Sequence, residues 1–200
     1  MDAKEEFHDQ ALLVVGSCLA GRLFRACDDG VLTGLVYRQP WTSGANTAIC
    51  PYVGLAPEAG SPRTPIGWRQ SVYGAAFHGH AAHERRTPHQ PGGLKCSCGF
   101  WAFHQLDMSA EWISLARTNA VVGLIWAHGV MTRGTKGYRA QHATIAALVT
   151  PDWAHTEPAE AEPTIPPRDV WANVVNRYDA PVFSTLDAAV AGVKSRRAAA

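Results

Sequence analysis

"AVVGLIWAHGVMTRGTKGYRAQHATIAALV", residues 120–149, decides the fold. It contains two apolar runs, "AVVGLIWAHGVM" (120–131) and "YRAQHATIAALV" (138–149), separated by "TRGTKG". Both runs read as strands, and the two glycines between them supply the turn. The first run is apolar almost throughout, which predicts a strand in the middle of its sheet.

Upstream, "ALLVVGSCLAGRLFRACDDGVLTGLVYRQPW" (11–41) reads as further strands broken by turns, with "DDG" at 28–30 as a hairpin turn. Residues 51–95 are rich in glycine, proline and histidine and read as a long irregular excursion. Loops of that length are usually functional or tied down. "SAEWISLART" (109–118) suits a short helix capped by Ser109. Downstream, "PDWAHTEPAEAEPTIPPRD" (151–169) is a Pro/Glu-rich linker. Beyond it, Val170, Trp171, Val174, Val175 and Tyr178 share one helical stripe. Leu186, Ala189, Val190 and Val193 share another, opened by Ser184 and Asp187 in a capping-box arrangement. The expected architecture is α+β: a flexible tail (1–10), a β-rich domain (11–150) that can close as a small barrel, a linker (151–169) and a C-terminal helical segment (170–200).

The chain has 200 residues, which suits one domain with at most an appendage. With 46% hydrophobic residues it can build a core, and its net charge of +1 gives no general basic field for nucleic acid. No apolar run reaches the roughly 18 residues of a membrane span. Residues 11–20 resemble a signal-peptide core, but the acidic "MDAKEEFHDQ" stands where a signal carries positive charge. The expectation is a cytoplasmic protein. Five cysteines, an odd number, argue against a complete disulfide framework and for reduced cysteines in the core or on a metal.

The chemistry concentrates in "PHQPGGLKCSCGFWAFH" (88–104). In an extended segment Cys96 and Cys98 face the same side, so both sulfurs reach one ion. Gly99 can take a backbone turn closed to other residues. Zinc needs four ligands in a tetrahedron. His89, in the "HQP" turn, is the third, and Cys50, at the other end of the excursion, is the fourth. One structural zinc on Cys50, His89, Cys96 and Cys98 would close the excursion at its base. His78, His80 and His83 ("HGHAAH") are each able to replace His89. The zinc-deaminase spacing fails here, and "HERRT" lacks the second histidine of H-E-x-x-H. Cys18 and Cys27 sit among apolar residues and read as core.

The order of "GRLFRACDDGVLTGLVY", "PWTSGANTAIC", "HQPGGLKCSCGFWA", "VVGLIWAHGVM" and "GYRAQHA" resembles a group of uncharacterised proteins common in actinobacteria and their phages. "RYDAPV" near residue 180 is similar to the usual tail of that group. The resemblance covers about 21–50 and 89–183, and Cys50, His89, Cys96 and Cys98 match its recurring positions. It implies an actinobacterial or bacteriophage source and no particular activity. The enlarged 51–88 excursion and the Pro/Glu linker depart from the pattern.

Three function classes compete. A non-catalytic binding or regulatory protein, phage-encoded and acting on a host protein, would use its loop tryptophans as anchors: Trp41, Trp68 and Trp101. Trp126 and Trp171 sit in apolar patterns and read as core. A nucleic-acid binder would use Arg133, Lys136 and Arg139 at the 132–139 turn, with Arg85 and Arg86 beside the zinc loop. A zinc-dependent enzyme needs an open coordination position, whereas a cysteine-rich set without a carboxylate favours a closed site. No nucleophile elbow, P-loop or dinucleotide fingerprint is present, so no catalytic residue is assigned and no small-molecule substrate is implied.

Overall fold

The computed structural model describes residues 12–14, 16–35, 38–48, 99–104, 119–134, 137–151 and 165–199. Eight strands and two helices follow in order: β1 (Leu12–Val14), β2 (Ser17–Ala26), β3 (Leu32–Gly34), β4 (Ala45–Thr47), β5 (Phe100–Phe103), β6 (Ala120–Arg133), β7 (Gly137–Val149), α1 (Arg168–Arg177), β8 (Val182–Phe183) and α2 (Leu186–Ala199). The protein is α+β with a β-rich core and C-terminal helices, as its periodicity predicts. The 109–118 segment read as a helix lies outside the described residues. Among the described residues no helix is long and apolar enough to cross a membrane.

β6 and β7 form the long hairpin that residues 120–149 announce, paired from Gly123↔Leu148 to Arg133↔Tyr138 with two register shifts. β6 is central: β2 lies along its other edge from Ser17↔His128 to Arg25↔Ala120, and β1 continues that edge at Met131–Arg133. β5 then pairs with both β7 and β2, meeting β2 at Gly21↔Phe103. The four strands β2, β6, β7 and β5 therefore close into a ring. The "DDG" turn joins β2 to β3, with Ala26 opposite Leu32 and Gly30 at φ 79°.

Alternation sorts the side chains. On β2, Ala20, Phe24 and Ala26 enter the main core with Val121, Ile125, Ala127 and Met131 of β6, Ala140 of β7 and Phe100 of β5. The intervening residues Leu19, Val122, Leu124 and Trp126 face a second cluster under α2. α1 closes the main core with Val170, Trp171, Val174 and Tyr178. Val175, expected on that stripe, is instead exposed, because the packed arc is narrower than the stripe drawn from the sequence. The helix begins at Arg168, inside the segment read as linker. α2 buries Ala189 and Val193. Its capping oxygen comes from Thr185, whose Oγ1 accepts the Ala188 N–H at 3.2 Å, rather than from Ser184. Of the two cysteines expected in the core, Cys18 is half-buried against it and Cys27 is exposed beside the β2–β3 turn.

β4 and β5 both run antiparallel to β7 along the same edge. Thr47 pairs with His142, the Ala48 N–H donates to the Gln141 carbonyl at 2.8 Å, and Phe100 pairs with Ala140. Ala48 and Phe100 therefore sit against successive residues of β7. Ala48 and Phe100 are thus in line along this edge.

Candidate functional site

Cys50, His89, Cys96 and Cys98, the predicted zinc ligands, lie outside the described residues, as do Trp68, Lys136, His78, His80 and His83. Among the described residues no group of three or more His, Cys, Asp or Glu side chains is placed to hold a metal. Gly99, directly after the C-x-C pair, has φ 129°, in the region that favours glycine.

Two of the expected partner-binding residues are buried. Trp41 is 3% exposed and belongs to the main core. The segment after Pro40, which reads as a loop, folds back over the sheet and buries the indole edge-on to Phe24 at 5.0 Å and tilted on Phe100 at 4.5 Å. Arg139 is 2% exposed, with its guanidinium 5.7 Å from the Trp101 ring centre. It is covered where it stands on β7 and cannot act as a surface cation. Arg133 is exposed and Trp101 half-buried, so the basic turn keeps one described cation of the three assigned to it.

A second buried arginine was not singled out in the sequence. Arg22, 8% exposed on β2, packs its guanidinium carbon 4.8 Å from the Trp41 ring, 5.5 Å from Phe24 and 5.6 Å from Phe100. It donates through Nη1 to the Trp101 carbonyl. Burial lowers its pKa to about 9, so it stays charged at neutral pH. Among the described residues, three aromatic rings and one carbonyl surround it, and no carboxylate does.

A polar row lies on the other face of the sheet. Register aligns Ser17 on β2, His128 on β6, His142 on β7 and Thr47 on β4 in one row. The His128 and His142 rings stack 5.4 Å apart at 27°, and Thr47 Oγ1 lies 3.1 Å from His142 Nδ1. One rung along, Trp126 carries the Arg197 guanidinium 4.4 Å from its ring centre, and Arg197 Nη2 donates to Ser17 Oγ at 3.3 Å. Ser17, Trp126, Ala146, Val193, Arg196 and Arg197 line an open groove of about 420 Å³ between α2 and the sheet. α2 shields the apolar part of this face and ends with its two arginines beside the polar row.

Burial, and then the charge of His142, lower the His128 pKa below its ordinary 6.5. The folded state thus favours neutral His128. Its contribution to stability is complete above pH 6.5 and is lost as pH falls through its folded pKa. An NMR titration is expected to place the His128 midpoint below 6.5, and His142→Gln to raise it part of the way, since burial remains. A midpoint at or above 6.5 in the unsubstituted protein would contradict this account.

The sequence carried only a weak trace of this row. His128 and His142 lie inside strand patterns 14 residues apart, and only the hairpin register sets them side by side. No family model matches the chain, and no curated protein or solved structure matches it.

Proposed function

We propose that the protein is a non-catalytic binding or regulatory protein of the cytoplasm, held together by one structural zinc on Cys50, His89, Cys96 and Cys98. The observation that carries this reading is the convergence of Ala48 and Phe100 on successive residues of β7. Cys50 follows Ala48 by two residues, and Cys98 precedes Phe100 by two. Two residues of chain reach at most about 7 Å, so a path exists on which both sulfurs meet one ion. Gly99 supplies the unusual backbone turn between the C-x-C pair and β5. The ion would anchor β5, the strand that closes the ring. Structural zinc contributes roughly 10–16 kcal/mol of apparent binding energy in small modules, more than closing a long loop costs.

Elemental mass spectrometry on the purified chain tests the reading. One zinc per chain, retained through mild chelation, is the expected result. Cys96→Ser is expected to lose both the metal and the folded protein. A chain that lacks zinc, or a Cys96→Ser variant that folds with full metal content, would overturn it.

A further inference from the structure

We propose that the groove between α2 and the sheet, with the Ser17–His128–His142–Thr47 row beside it, binds single-stranded nucleic acid. This rests on the binding-protein reading above but not on its zinc. Arg197 is held over Trp126 and tied to Ser17. A guanidinium fixed in that way has already lost rotamer freedom and keeps N–H edges for a phosphate oxygen. Arg196 and Lys194 stand exposed on the same helix end. No described Asp or Glu lines the groove, and the acidic residue of α2, Asp187, sits in its first turn at the opposite end. The groove is therefore cationic in a chain of net charge only +1.

The shape selects among anions. The groove is open and continues into a row crossing four strands, a path of about 14 Å at the usual strand spacing. That path offers hydroxyls and two half-exposed imidazoles next to an indole. Bases use such groups through hydrogen bonds and stacking. An isolated phosphate would use only the arginine end, and an acidic peptide has no need of a flat aromatic track. Duplex is disfavoured, because stacked and paired bases cannot lie on the row.

Fluorescence anisotropy with the full chain and a labelled oligothymidylate about a dozen nucleotides long tests this, at ionic strengths from about 50 to 200 mM. Binding is expected, stronger than to a duplex of the same length and weakening with salt. Arg196→Gln with Arg197→Gln is expected to weaken it about 10-fold or more and to flatten the salt slope by ~1.4, the value for two lost single-strand phosphate contacts. Arg197 also packs on Trp126, so Arg196→Gln alone serves as the second variant. Its side chain is exposed, and it should weaken binding with an unchanged urea midpoint. Three results would overturn the proposal: no binding at the lowest ionic strength, binding indifferent to both variants, or equal competition by polyglutamate. Any of these with one zinc per chain leaves the zinc reading standing. Oligonucleotide binding by a metal-free chain would do the reverse.

Discussion

Replacing Trp41 with alanine is expected to cost about 3–5 kcal/mol of stability, the range for emptying a buried aromatic site. The indole is enclosed by Phe24, Phe100 and the Arg22 guanidinium. Its removal opens a cavity and also strips one aromatic face from a buried cation that has no carboxylate partner among the described residues. The surviving charge then faces a poorer environment, which adds to the cavity term. Trp41→Phe should cost much less. It keeps an aromatic face, and it removes an indole N–H that has no hydrogen-bond partner among the described residues. Urea denaturation with unchanged slope checks both. A loss below about 1 kcal/mol for the alanine variant would mean that Trp41 is no core residue.

Tyr178→Phe is expected to cost about 2–4 kcal/mol, although it removes a single oxygen. The Tyr178 hydroxyl accepts the Leu32 N–H at 2.8 Å and donates to the Trp41 carbonyl at 2.9 Å, in a site 3% exposed. Its loss leaves a buried donor and a buried acceptor unpaired, each costing about 1–3 kcal/mol. These two bonds tie the end of α1 to β3 and to the segment that covers the ring. A pH signature accompanies the effect. Burial is the first cause that raises the Tyr178 pKa above 10. The neutral form is favoured in the fold, so its contribution is present below pH 10 and is lost as pH rises above that value. The phenylalanine variant should lack this share of the alkaline destabilisation. Equal urea midpoints for the two proteins would show that the hydroxyl carries no weight.

The α+β class was legible because its signals are local. The hairpin of 120–149, the "DDG" turn and the two C-terminal helices each rest on periodicity and turn chemistry within about 30 residues. The errors share one cause. Trp41 looked like a loop anchor and Arg139 like a surface cation because sequence shows the type of a side chain and not what covers it. Cys27 looked buried among apolar neighbours, yet the turn that carries it projects outward.

By itself, then, the sequence determined the strands of 11–41 and of the 120–149 hairpin, their turns, and the apolar faces of the helices, while β4, β5 and β8 went unmarked. Tertiary structure alone decided three things: that β5 meets β2 to close the ring, that Ala48 and Phe100 arrive at successive residues of β7, and that Ser17, His128, His142 and Thr47 align in one row. Each depends on pairing between residues far apart in the chain. A strand's own composition fixes its two faces but not its neighbour, and a shift of one residue in register would send every one of these side chains to the other face.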